Sequence, residues 1–420
     1  MNARRVRTFT LFPTNLSRCL VAGASKCDQY SLSNVWPGFN DPPQNAEEAP
    51  GGTEHIPVDY PSVADTLRTV LGGLTDLETL EVVSKHNAPG FAAFISLKPR
   101  FLDLGWPSFY STLTALSLNV ALDALDVVLP PSDVLLPCLS NFTLDLYPHR
   151  TRDARTVFKT ILVPFISRHA PTLRFLQLSC TTFIDPYGFL ADIPFIPSLS
   201  SFSVAVPCAD PMEMDFSGLE AFLTLHRETL HHFKYGYVQS AHSSSPFHMV
   251  LVPPSPEAWY SQGWLKLSFP NLRVLDLSFH YVHNGCHVPP TITYILQYAH
   301  TLRELHLWPF VLSFRHLSDL VKGLAEYQVI ESLDLVMSNF NADVLELLAA
   351  ELPQLVSLSI ISPSRAFKSS LGPSSQADDV DKVRRTIPQG CYAKILFRSL
   401  MAFVRFAFHP GPCALWISTP

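Results

Sequence analysis

Residues 269–278 read Phe-Pro-Asn-Leu-Arg-Val-Leu-Asp-Leu-Ser, and the spacing of their leucines decides how the chain is built. Leu272, Leu275 and Leu277 follow the pattern apolar-x-x-apolar-x-apolar. The last two alternate with other residues, the period of a strand with one buried face. The same pattern opens at Leu77, Leu113, Leu139, Leu173, Leu199, Leu230, Leu302, Ile330 and Leu355, at intervals of 25 to 42 residues. Strand signals recurring in one phase at this spacing mark an internal repeat.

The stretches between the strands carry helical spacing. Residues 313–328 place Phe314, Leu317, Leu320, Val321 and Leu324 on one helix face, and residues 341–352 open on Asn341, an N-cap type of residue. Residues 155–169 and 62–71 behave in the same way. One strand and one helix cannot bury their apolar faces alone, so stacked neighbours must supply the missing partner. The competing architecture, a doubly wound α/β domain, would show continuous Val/Ile runs for its central strands, and these are scarce.

The phrases Ala-Pro-Thr-Leu-Arg-Phe-Leu-Gln-Leu-Ser at 170–179, Phe-Pro-Asn-Leu-Arg-Val-Leu-Asp-Leu-Ser at 269–278 and Ala-His-Thr-Leu-Arg-Glu-Leu-His-Leu at 299–307 resemble leucine-rich repeats. The layout as a whole resembles the irregular arrays of fungal F-box/leucine-rich-repeat-like proteins. That resemblance implies an α/β fold, an irregular leucine-rich-repeat solenoid with parallel strands on the concave face and helices on the convex face. It also implies a protein-interaction module like the substrate-recognition part of an F-box-type ubiquitin-ligase receptor, with a protein partner on the concave surface and a ligase adaptor as a second partner. The likeness covers about residues 62–362, while residues 1–61 contain no Leu-Pro-led segment of F-box type.

Three regions follow. Residues 1–61, which include a Pro/Gly/acidic stretch at 36–61, are expected to be irregular. Residues 62–362 form the array. Residues 363–420 are expected to be a loop and then a basic amphipathic tail or cap. On a helix, Lys394, Arg398 and Arg405 would fall within about 40° of one another, so residues 391–408 read as a helix that covers the end of the array or lies on a membrane or partner surface.

The net charge of −6 excludes a general nucleic-acid binder. Eight cysteines without a C-x-x-C pair argue against a disulfide scaffold and point to a reducing compartment, the cytoplasm or nucleus. The basic, acid-free residues 1–27 also suit mitochondrial import. No uncharged apolar run reaches the length of a membrane span. The chain carries no phosphate loop, dinucleotide fingerprint, nucleophile elbow or H-E-x-x-H, so neither a cofactor nor a catalytic set is expected. The alternative, an enzyme on an α/β scaffold, would use His280, His283, Cys286 and His287. Their spacing fits no established zinc site, and Asn284-Gly285 interrupts the helix that shared ligation would need. His226, His231 and His232 lie near the sixth strand, and the last two point to opposite sides of the pleat.

The residue between the two inward strand positions defines a column on the concave side: Glu81, Ser117, Thr143, Gln177, Ser203, Lys234, Asp276, His306, Asp334 and Ser359. Toward its end Asp276, Glu304, His306, Trp308 and Asp334 combine charge with a large aromatic ring. They are the candidate partner-binding residues, suited to a basic partner.

Overall fold

The computed structural model describes residues 6–11, 69–83, 105–147, 154–180, 188–207, 215–238, 262–278, 288–337, 341–363, 394–398, 401–407 and 417–418. The strands are β1 (Thr8–Leu11), β2 (Thr79–Val83), β3 (Ala115–Ala121), β4 (Asn141–Tyr147), β5 (Phe175–Cys180), β6 (Ser201–Pro207), β7 (His232–Val238), β8 (Val274–Ser278), β9 (Glu304–Leu312), β10 (Ser332–Met337), β11 (Ser357–Pro363), β12 (Lys394–Arg398), β13 (Met401–Ala407) and β14 (Ile417–Ser418). Each of β2 to β11 begins two residues after the first apolar position of one repeat. The chain has the leucine-rich-repeat type of α/β fold, one parallel strand per repeat.

Contacts divide the chain into two units, Met1–Ser140 with Leu144–Arg152, and Asn141–Thr143 with Asp153–Pro420. In the first unit β1, β2 and β3 pair in parallel and in sequence order. In the second, β5 through β11 do the same, each strand beside its successor. The order never reverses along those seven strands, which rules out a doubly wound sheet there.

Register explains the repeat. The second apolar positions face one another along Leu176, Phe202, Phe233, Leu275, Leu305, Leu333 and Leu358. All seven are buried, as are the first-position residues of all ten repeats. A shared carbonyl ties neighbouring repeats before each strand begins. The Arg273 carbonyl accepts from the Arg303 and Glu304 N–H groups, and the Arg303 carbonyl accepts from Glu331 and Ser332. The phase of one strand is thereby handed to the next.

The inward strand residues meet the helices. Five helices matter here: α1 (Val163–His169), α2 (Ser217–His226), α3 (Val288–Leu296), α4 (Phe314–Ala325) and α5 (Ala342–Glu351). Phe142 packs on Phe165 of α1 and Phe202 on Phe222 of α2, with ring centroids 4.9 and 4.6 Å apart. Ser313 and Asn341 cap α4 and α5, their side chains accepting from the His316 and Val344 N–H groups. On α4, Leu317, Leu320, Val321 and Leu324 are buried as the spacing predicts, but Phe314 is exposed, since the first turn extends past the contact. Gly323 lets α4 approach Leu296 of α3, because a Cβ there would lie 2.5 Å from that side chain. Residues 154–169 are helical but include a π-turn at Phe158–Leu162. Pro164 cannot donate to the carbonyl four residues back, and the wider turn accommodates it.

Two kinds of turn lead into the strands, and both are written in the sequence. In one, an apolar residue and a proline precede the first-position leucine. The carbonyls of Leu136, Ile196, Phe269 and Leu352 accept from the N–H groups of Leu139, Leu199, Leu272 and Leu355. In the other, a buried ring stands four residues before the leucine and a threonine one residue before. Phe109, His169, His226 and Tyr298 each present a carbonyl to the hydroxyls of Thr112, Thr172, Thr229 and Thr301. Two of those rings also reach back to the preceding repeat: Tyr298 donates to the Leu267 carbonyl at 2.7 Å, and Ile196 N–H donates to His226 Nε2 at 2.9 Å.

His226 is therefore neutral, with its proton on Nδ1 facing the Phe222 carbonyl at 2.8 Å. Burial holds its pKa below the ordinary value, as it does for His169. A depressed histidine stabilises the folded chain above the unfolded pKa of about 6.5, and that stability is lost as pH falls, because only the unfolded chain takes up the proton. We expect His226→Leu to cost about 1–3 kcal/mol at pH near 7.5, by leaving the Ile196 N–H unsatisfied. The parent should lose more stability than this variant between about pH 7.5 and about pH 5.5. Urea denaturation at both values checks this, and equal losses would remove His226 from the titration.

Two sequence expectations need correction. Thr8–Leu11 lies in the segment expected to be irregular but is a parallel strand on β2, with Leu11 buried and the Thr10 hydroxyl donating to Glu81 at 3.0 Å. Its alternation is simply too short to show a period. Residues 394–398 and 401–407, read as parts of a basic helix, are strands: β13 runs antiparallel on β11, β12 antiparallel on β13, and β14 parallel on β12. Ile395, Phe397, Phe403, Val404 and Phe406 favour a pleated surface, and the unpaired edge of β11 offers it a template. No helix among the described residues is long and apolar enough to cross a membrane.

Candidate functional site, the open strand face

Strand residues that alternate with the buried ones form the face turned away from the helices. In the second unit the predicted column is in direct register: Gln177, Ser203, Lys234, Asp276, His306, Asp334 and Ser359 face one another strand by strand. A second row on the same face pairs Ser201 with His232, Val274 with Glu304, and Glu304 with Ser332. The Ser201 hydroxyl and His232 Nδ1 are 3.1 Å apart. In the first unit Thr10, Glu81 and Ser117 stand in the equivalent register.

Four of the five candidate residues come together. His306 is the centre, with Nδ1 3.8 Å from Asp334 Oδ2 and Nε2 3.7 Å from Glu304 Oε2. Both distances are charge contacts and not hydrogen bonds. Asp276 faces His306 from β8. The Asp334 carboxylate, and behind it Asp276 and Glu304, raise the imidazole pKa, while partial burial opposes them. Across the patch His232 is shifted the other way, lowered chiefly by burial.

Asp276 differs from its sequence reading. Lys234 Nζ lies 2.6 Å from its Oδ2, and the Ser278 hydroxyl donates to its Oδ1 at 3.1 Å. Its carboxylate is already paired and mostly covered, so it organises the patch and presents little free negative charge. Lys234 stood in the predicted column without being counted as a site residue. The adjacency of Lys234 and Asp276 there was the signal that could have found the pair.

Trp308 lies in β9, with its side chain outside the described residues. Backbone pairing with β10 stops at His306↔Asp334 and resumes at Val311↔Val336, so Trp308, Pro309 and Phe310 occupy an irregularity. Pro309 supplies no N–H to a ladder, which accounts for a break at this point.

The other polar candidates do not gather. His226 is buried under the strands, while His231 sits in the turn before β7, Nδ1 2.8 Å from the Thr229 carbonyl. Residues 280–287, with His280, His283, Cys286 and His287, lie outside the described residues. Among the described residues no group of three or more His, Cys, Asp or Glu side chains is arranged to hold a metal.

No protein-family model matches the chain. No curated protein matches it. Among solved structures it is similar to a chain of the crystal structure of a TLR13–ssRNA13 complex, with 12% sequence identity and a TM-score of 0.27. The match covers 68% of this chain and 34% of that one, so the chain spans about a third of its length.

Proposed function

We propose that the chain is a protein-interaction module, without enzymatic activity, that takes a basic protein partner on the open strand face of its second unit. The observation that carries this reading is the register of β7 to β10, which collects Lys234, Asp276, Glu304, His306 and Asp334 on the strand face opposite the helices. Helices occupy the other side of the strands, so the open face is where an extended partner meets the most backbone-anchored side chains. The partner is basic because, among the described residues, Glu304 and Asp334 face only His306 once Lys234 has paired with Asp276. The same carboxylates disfavour a nucleic-acid phosphate.

The finer reading is the substrate-recognition part of an F-box-type ubiquitin-ligase receptor, which the leucine-rich phrases at 170–179, 269–278 and 299–307 support by resemblance. Affinity purification with mass spectrometry tests it, since a ligase adaptor and its target should both be recovered. Recovery of a partner without any adaptor would remove the ligase role and leave the module.

Trp308 supplies the large aromatic anchor in this proposal. Trp308→Ala is expected to weaken partner binding by at least ~2 kcal/mol. Asp334→Asn should act more through association rate and salt dependence, as charges at an interface rim do. Undiminished binding by a folded Trp308→Ala, Asp334→Asn double variant would move the site off this surface.

A further inference from the structure

We propose that His306 is a proton-operated switch for this face: its imidazolium, held between Glu304 and Asp334, offsets one of their two charges, and a cationic partner binds more tightly when the proton leaves. The switch rests on the proposed reading of the face as a site for a basic partner.

The geometry is specific to this histidine. Its two ring nitrogens each look toward a different carboxylate, Nε2 toward Glu304 on its own strand and Nδ1 toward Asp334 on β10. Asp334 Oδ1 is enclosed and accepts no hydrogen bond from the described residues, and the imidazolium beside Oδ2 is placed to compensate that carboxylate. Among the described residues, the other charged or titratable groups near His306 are Asp276 on β8 and His232 on β7, with Lys234 one strand further on, opposite Asp276. Lys234 is held by Asp276, which keeps it from serving the Glu304–Asp334 pair. Burial lowers the pKa of His232, whose Nδ1 lies 3.1 Å from the Ser201 hydroxyl. One proton on His306 therefore decides whether the Glu304–Asp334 end of the face has one of its two carboxylate charges offset or neither. The upward shift of its pKa agrees with this arrangement.

The linkage has a definite sign. A ligand cation seated between these carboxylates disfavours the proton on His306, so binding releases it and strengthens as pH rises through the His306 midpoint. A lysine or arginine side chain of the partner would take the position that the proton's charge holds in the free protein.

NMR titration of the histidine ring resonances in the full chain tests the switch without a ligand, with His306→Gln assigning the signal. His306 should titrate above the ordinary value of about 6.5 and above His232, and Asp334→Asn should bring it down. A His306 midpoint at or below that of His232, or one unmoved by Asp334→Asn, overturns the proposal. A tetra-arginine peptide then probes the consequence by calorimetry. Its affinity should rise roughly threefold or more from about pH 6 to about pH 8, with the rise lost in His306→Gln. If the peptide fails to bind while His306 titrates as expected, the basic-partner reading falls, and pH control of binding with it, but His306 keeps its place as the proton carrier of the face.

Discussion

Leu275→Ala and Leu305→Ala are each expected to lower the free energy of unfolding by about 2–5 kcal/mol. Both side chains are fully buried and stand directly opposite one another in register on β8 and β9. Each also touches a second strand in the same row, Leu275 facing Phe233 and Leu305 facing Leu333. Truncation removes contacts on both sides, and the flanking residues belong to paired strands that cannot collapse into the space. In a repeat array the damage spreads to the interfaces next to the altered repeat, so the cost falls on cooperativity as well as stability. Because the two residues touch, the double variant should cost less than the two single losses added together. Thermal and urea unfolding of the three variants checks this. A parent-like midpoint for either single variant would mean that the strand phase is wrong by one residue, since a shift of one places these leucines on the open face.

Trp264→Ala is expected to cost about 3–5 kcal/mol, the range for large aromatic truncations in a core. The indole is fully buried in a short 3-10 turn, Gly263–Lys266, which lies in the longest interval of the array, between the strands starting at His232 and Val274. It stacks on Tyr235 at 4.9 Å and meets Phe233 and Tyr294 edge-on at 6.0 and 6.3 Å. Phe269, Tyr294 and Tyr298 continue the cluster, with Phe269 on Tyr298 at 5.9 Å and Tyr294 on Tyr298 at 5.3 Å. Trp264→Phe should recover part of the loss, and Trp264→Ala should also weaken the near-ultraviolet circular dichroism of the aromatic cluster. A loss below about 1 kcal/mol would show that the lengthened repeat does not depend on this core.

The strands were legible because one short pattern carries both phase and face. A leucine or isoleucine two residues before each strand, then two buried positions separated by one on the opposite face, sets β2 to β11 and the column from Gln177 to Ser359. What the pattern lacks is information about partners far away in sequence. Lys234 and Asp276 are 42 positions apart and meet only because the intervening segment returns the chain to the adjacent strand. The lead-in turns were legible in principle, as Phe/His/Tyr-x-x-Thr-Leu and apolar-Pro-x-Leu, but their meaning lies in hydrogen bonds to carbonyls that no periodicity reports. The C-terminal strands were misread because charge spacing on a hypothetical helix outweighed the β-branched and aromatic content of Ile395 to Phe406. A paired sheet edge then decides in favour of strands. Of the candidate site, the adjacency of His306 and Asp334 followed from the column, and Glu304 stands two positions before His306 on the same face. The column also sets Lys234 beside Asp276, but it does not say that their side chains bond and so remove Asp276 from the free charge.

From Gln177 to Ser359 the open-face column advances by one strand per repeat without turning back. Nitroxide labels at Gln177 and His306, and in a second sample at Gln177 and Ser359, measure that directly by pulsed electron–electron resonance. Four strand steps separate the first pair and six the second. At the spacing of adjacent strands these correspond to about 19 Å and about 29 Å, before allowance for the label tethers. The second distance should exceed the first by about 10 Å. A second distance equal to or shorter than the first would mean that the strand order folds back between His306 and Ser359, and the repeat array with its continuous open face would be contradicted.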